Sequence, residues 1–170
     1  MIFLSLGSNL PSSFGNRFEN INLAVSFIKE NGINVLKQSS YYETNSYPDI
    51  SKPKYINMII KVSTNFKPSI FTSILLSIEE KLERKRLNKN DPRTCDIDIV
   101  DFEKKHMTFK CQNLSFTVPH KNLRYRNFVL FPLREVCPEW KHPITDESID
   151  NLIGNLSNDD KNSILKIKNY

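Results

Sequence analysis

Residues 95–102 read CDIDIVDF. As a strand, this stretch sends Ile97 and Ile99 to one face and Asp96 and Asp98 to the other. It is the last element of a series, and the series decides the fold. IFLSL (2–6) is a short strand ended by Gly7. Ser12-Ser13 offers an N-cap, and Phe18, Ile21, Val25 and Ile28 then recur at helical spacing until Asn31-Gly32 stops the helix. INVLKQSSYYET (33–44) is expected as one long strand, and YINMIIKVST (55–64) as the next, with a polar, proline-containing loop between them. Pro68-Ser69 opens a second helix with Ile70, Ile74, Ile78 and Leu82 four apart, supported by Phe71 and Leu75. A basic, irregular stretch, 84–94, leads into CDIDIVDF. The order βαββαβ, with helices on one face of an antiparallel sheet, is the ferredoxin-like α+β plan.

Downstream, HMTFK and LSFTV are expected as a C-terminal hairpin, and RNFVLFPLREV (126–136) as a further helix interrupted or bent near Pro132. The chain turns polar from about 141. A single domain is expected over 1–155, with a mobile tail over 156–170.

Composition narrows the function. The 170 residues suit one domain with a real core. Apolar runs such as FVLFPL are too short to cross a bilayer, and Met1 leads straight into the first strand without a basic leader, so no membrane anchor or signal peptide is expected. Three cysteines at no metal-like spacing read as reduced thiols in a cytoplasmic protein. The net charge of +5 suits an anionic ligand and is too mild to imply nucleic acid. Four glycines cannot build a Gly-rich phosphate loop, so any phosphate must be held by side chains and metal. Lysine outnumbers arginine seventeen to seven, yet Arg84, Arg86, Arg93, Arg124 and Arg126 fall within one window. Arginine's planar fork fits phosphate oxygens as lysine cannot.

Asp96 and Asp98 repel each other across about 7 Å and have no structural merit unless a cation neutralises them. Mg²⁺ is commonly held by one or two carboxylates together with substrate phosphates, and two such ions can clamp a transferring phosphoryl group. The plain alternative is a half-exposed strand with an Asp-rich polar face. Tyr55 and Asn57 share a strand face, where an Asn amide could meet a flat heterocycle and Phe128 could stack on it.

LGSNL (6–10), YIN (55–57), PRTCDIDIV (92–100) and VPHKNLRYRNFVLFPL (118–133) together resemble the 6-hydroxymethyl-7,8-dihydropterin pyrophosphokinase family, in order from about residue 3 to 140. The resemblance implies a monomeric, cytoplasmic enzyme that moves the terminal diphosphate of ATP to the hydroxymethyl group of 6-hydroxymethyl-7,8-dihydropterin and releases AMP. It binds neither nucleic acid nor membrane. By the same resemblance, Asp96 and Asp98 hold two Mg²⁺, and Arg84, Arg93, Asp96 and Asp98 form the catalytic set. Glu79, Arg84, Arg86, His120 and Arg126 bind ATP. Gly7, Thr44, Tyr55, Asn57 and Phe128 form the pterin pocket. The chain departs from the family pattern at Asn90 and Asp91, at Glu83 where Gly is usual, and after Thr44 where Pro is usual. Alternatives are another two-metal nucleotidyl or phosphoryl transferase on a ferredoxin-like palm, a sheet that binds RNA, and a degenerate relative that binds without turnover. The acidic pair argues against the RNA-binding sheet.

Overall fold

The computed structural model describes residues 1–85 and 91–167. The central sheet contains β1 (Ile2–Ser8), β2 (Asn34–Gln38), β3 (Tyr42–Thr44), β4 (Tyr55–Ser63), β5 (Asp96–Phe102) and β8 (Ile164–Lys166). Its order is β5-β1-β4-β3-β8, with β2 also paired to β4. Every pairing is antiparallel. Helices α1 (Arg17–Glu30) and α2 (Pro68–Lys81) pack on one face, around Leu4, Leu6, Ile56, Ile60, Ile97 and Ile99. The expected ferredoxin-like core is therefore present.

The sheet's other face carries a second core of Phe3, Ile59 and Val100 under α3 (Asn127–Val136) and α4 (Ile149–Gly154). The expected hairpin, β6 (Met107–Cys111) with β7 (Leu114–Val118), stands as its own two-stranded sheet.

Local details differ from the sequence expectation for physical reasons. The α1 N-cap is Asn16, whose side chain accepts from the Phe18 and Glu19 amides while Glu19 reaches back to the Asn16 amide, a capping box. Ser12 instead bridges to Gly15 and hydrogen-bonds Asn20. The expected strand 33–44 is broken. Ser39 bonds Ile59 through both its backbone N–H and its hydroxyl, and the chain resumes as β3.

On α2 the buried stripe is Phe71, Leu75, Ile78 and Leu82, and Ile70 is 50% exposed. Strict spacing of four outruns the 3.6-residue turn, so a row of fours drifts round the helix and Ile70 falls about 120° from Leu82, off the stripe centred on Phe71, Leu75 and Ile78. Helix α3 runs through Pro132 as a single element, with one amide donor missing.

Ile149, Leu152 and Leu156 are buried in the second core with Trp140, although the surrounding sequence is polar. Residues 156–167, expected as a tail, carry α5 (Asn158–Asn162) and β8, which pairs with β3.

Strand β5 holds a third carboxylate. A bulge opposite Phe3 and Leu4 breaks the alternation at Val100 and Asp101. Asp101 is thereby buried and accepts from Trp140 Nε1 at 2.9 Å and the Lys104 amide at 2.8 Å. Asp101 thus joins the second core, away from the cluster built on Asp96 and Asp98.

Candidate active site

Three adjacent strands set the site. In register, Gly7 on β1 faces Asn57 on β4 to one side and Asp96 on β5 to the other. By strand alternation Gly7, Asn57, Asp96 and Asp98 share the face opposite α1 and α2. Neighbouring strands lie about 4.8 Å apart, so Asn57 and Asp96 are separated by little more than one glycine's width on each side.

On the β4 side, Asn57 is buried. Its Nδ2 donates to Thr44 Oγ1 at 3.0 Å and to the Tyr42 carbonyl at 3.3 Å. Both amide hydrogens are then engaged, and the Oδ1 acceptor faces Gly7. A Cβ added at Gly7 would lie 3.4 Å from that oxygen and 3.6 Å from the Tyr55 ring. Phe128 sits half-buried at the start of α3, which packs against β4.

On the β5 side, Asp96 and Asp98 are neutralised already. Arg84 reaches Asp96 Oδ1 at 2.5 Å, and Arg93 reaches its Oδ2 at 2.9 Å. Arg126 lies 3.3 Å from Asp98 Oδ2, and His120 Nε2 lies 4.0 Å from the same oxygen. The cations that the sequence reading required for this pair, taken there as metal, are thus already supplied in part by arginines that folding brings in. Withdrawal from bulk water and then repulsion from Asp96 still hold the Asp98 carboxyl above the usual carboxylate range. Burial lowers the His120 pKa despite the neighbouring Asp98. The Asn122 amide donates to His120 Nδ1, so the neutral ring carries its proton on Nε2, toward Asp98.

Glu79, on the last turn of α2, is 2% exposed. It pairs with Arg84 and accepts from the Ile97 amide at 2.6 Å. A buried carboxylate therefore caps the sheet's edge strand and anchors a site arginine. Burial opposes the Arg84 charge, but Asp96 and then Glu79 outweigh it and raise its pKa. Glu79→Ala should cost about 3 kcal/mol, since it leaves a buried guanidinium and an edge amide short of partners. Chemical denaturation would measure this, and a loss under about 1 kcal/mol would mean that water replaces the carboxylate.

A cavity of about 300 Å³ lies between α2, β5 and β7 and is lined by Thr72, Glu79, Arg84, Asp96, Asp98, Phe116, Thr117 and His120. The sequence-derived residues thus fall into two adjoining groups, one around Asn57 and one around this cavity. Arg86 and Asn90 lie outside the described residues. Arg124 points elsewhere, pairing with Glu147 at 2.6 Å.

The model of the 7,8-dihydro-6-hydroxymethylpterin-pyrophosphokinase (HPPK) family matches residues 3–138. This chain belongs to the HPPK family. A 2-amino-4-hydroxy-6-hydroxymethyldihydropteridine pyrophosphokinase from Synechocystis is 34% identical over 72% of this chain, and the chain spans 60% of that relative. The Bacillus subtilis pyrophosphokinase is 30% identical, with 87% of this chain and 84% of the relative covered. A folic acid synthesis protein of Schizosaccharomyces pombe is 34% identical over 91% of this chain, but only 20% of that longer protein is covered. A solved Plasmodium falciparum HPPK-DHPS structure superposes with a TM-score of 0.74 at 15% identity, covering 98% of this chain and 46% of that one. At that identity the likeness bears on the fold.

Within the HPPK frame, Glu83 at the usual Gly position has φ of 63°. It is the left-handed residue that ends α2, where its own amide bonds Glu80 O and the Arg84 amide bonds Glu79 O. A glutamate here is strained, but its carboxylate accepts from the Ser13 amide at 3.0 Å and the Ser13 hydroxyl at 2.5 Å. Asp91 uses its carbonyl to hold Arg93 Nε at 3.1 Å.

Sequence reasoning missed Asn9 as a site residue. It is buried, its Oδ1 accepts from the Arg93 amide at 2.7 Å, and its Nδ2 reaches Ser46 Oγ at 3.3 Å and the Pro53 carbonyl at 3.1 Å. It ties the arginine loop to the loop beside β3. The only signal was its place in LGSNL.

Proposed function

We propose that the protein transfers the β,γ-diphosphate of ATP to the hydroxymethyl group of 6-hydroxymethyl-7,8-dihydropterin and releases AMP, in folate biosynthesis. The observation that carries this reading is the register at Gly7, which sets the Asn57 amide on one side of a glycine and the arginine-ringed carboxylate strand on the other. The Asn57 Oδ1 accepts from ring N–H groups of the pterin, and Tyr55 and Phe128 offer flat apolar surfaces. ATP lies along the cavity, with its phosphates toward Arg84, Arg93 and Arg126. Glu79 holds Arg84 in place, and His120 donates from Nε2.

The donor set fits Mg²⁺. Two carboxylates fall short of a self-contained metal cage, and the described residues contain no group of three or more His, Cys, Asp or Glu side chains poised for a metal. Such a set suits an ion that takes its other ligands from phosphate and water. Asp96 and Asp98 would hold two Mg²⁺, which supply neutralisation of phosphate charge. The arginines orient the β- and γ-oxygens and stabilise charge that develops on them, while the Gly7 strand end holds the hydroxymethyl group near the β-phosphorus.

No described helix is long and apolar enough to cross a membrane. The three buried free thiols support a reducing compartment and a cytoplasmic location.

ATP consumption with and without the pterin tests the reading. ATP should be nearly inert alone and converted to AMP when the pterin is added. Rapid hydrolysis without the pterin, or no AMP with it, would count against it.

Gly7→Ala probes the pocket. The new Cβ meets no backbone and the position needs no left-handed conformation, so folding is unaffected. The added methyl occupies pterin space, and the KM for the pterin should rise about tenfold with the KM for ATP unchanged. Equal effects on both would place the pocket elsewhere.

A further inference from the structure

The groups that pair with the two aspartates are the same groups proposed to grip phosphate. Arg84 and Arg93 cover the two oxygens of Asp96, and Arg126 faces Asp98. A carboxylate oxygen already bonded to a guanidinium is poorly available to a metal ion.

Each arginine also has a second anchor that does not involve the aspartates. Arg84 keeps Glu79. Arg93 keeps the Asp91 carbonyl, and its backbone is pinned by Asn9. Arg126 keeps the Phe128 ring, 5.4 Å from its guanidinium carbon. Each guanidinium can therefore leave its aspartate by a local swing while staying attached to the site.

We propose that these arginines occupy the aspartate oxygens until nucleotide arrives, so that a divalent cation alone binds poorly and enters together with the triphosphate. This rests on the reading of Asp96 and Asp98 as metal ligands. Three guanidiniums balance the carboxylates of Glu79, Asp96 and Asp98, so a bare dication approaches a site that is not net negative. A triphosphate reverses that balance. Its oxygens fit the arginine fork as well as a carboxylate does, and the vacated aspartates then face a cation that the phosphates help to coordinate. The arginines thus have two successive partners, and binding order is built into their geometry.

The test is Mn²⁺ binding without nucleotide, read from the electron paramagnetic resonance of the free ion. The proteins are wild type, Arg93→Ala, Arg93→Gln and Arg126→Ala, together with Asp96→Asn/Arg93→Ala and Asp98→Asn/Arg126→Ala. Thermal melts confirm folding, and the Gln variant, which keeps more of the side chain, serves if Arg93→Ala is unfolded. The arginine variants should bind Mn²⁺ roughly ten- to a hundredfold tighter than wild type, and the paired Asp→Asn change should abolish the gain. Arginine variants no tighter than wild type would overturn the exchange and leave the metal reading standing. Arginine variants whose tighter binding survives Asp→Asn would overturn the metal reading, and the exchange with it.

Discussion

Asp98→Ala should lower turnover about a thousandfold or more while thermal stability holds or rises slightly. Among the described residues, Asp98 makes only a 3.3 Å contact with Arg126 and a 4.0 Å approach to His120. Against those stand desolvation and repulsion from Asp96, which already raise its pKa. Removing the carboxylate relieves the fold and, on the proposed assignment, deprives the reaction of a metal ligand; loss of transition-state charge stabilisation is worth several kcal/mol.

Asp96→Ala should match it in lost turnover but not in stability. From sequence alone, either change relieves a self-repelling pair. In the fold, Asp96 partners Arg84, whose side chain is 8% exposed, and Arg93. With Glu79 still holding Arg84, the loss should be about 1–2 kcal/mol, less than for a fully broken buried pair. Paired activity assays and melts separate the two variants. Near-normal turnover in either would remove the metal assignment.

Arg93→Lys should lower kcat about a hundredfold and raise the KM for ATP much less. The Arg93 backbone is held from both sides of Asn9, by the Asn9 side chain on its amide and by the Asn9 and Leu10 amides on its carbonyl, so the substitution leaves the loop in place. What changes is the head group. An ammonium keeps the charge and loses the two-pronged fork, which matters most when charge builds on the transferring phosphoryl oxygens. A pure KM effect would mean that Arg93 holds ATP equally in ground and transition states.

The order of the core elements was legible because strand and helix periodicities are local properties of the chain. So was the shared face of Asp96 and Asp98, and that of Tyr55 and Asn57, since strand alternation settles both. What sequence could not show depends on contacts between distant segments. Arg84, Arg93 and Arg126 could be counted, but not aimed at carboxylates. Ser39 breaks its strand because Ile59 lies across from it. Ile149, Leu152 and Leu156 form a short helical stripe inside polar sequence, and only the second face of the sheet gives them something to cover. The Asn16 capping box stands in the sequence as N-x-x-E directly before the helix, closer to it than Ser12-Ser13. The resemblance assigns Gly7 to the pterin pocket, but its place between Asn57 and Asp96 requires the register of three strands.

The most direct test follows the phosphorus atoms. ATP labelled at the β- or at the γ-phosphorus is mixed with protein, Mg²⁺ and 6-hydroxymethyl-7,8-dihydropterin, and the products are separated. Attack at the β-phosphorus puts both labels on the pterin in equal amount and yields AMP one-to-one with the pterin diphosphate. Label from the γ-position alone on the pterin, with ADP as the nucleotide product, would contradict diphosphate transfer even with every residue assignment intact.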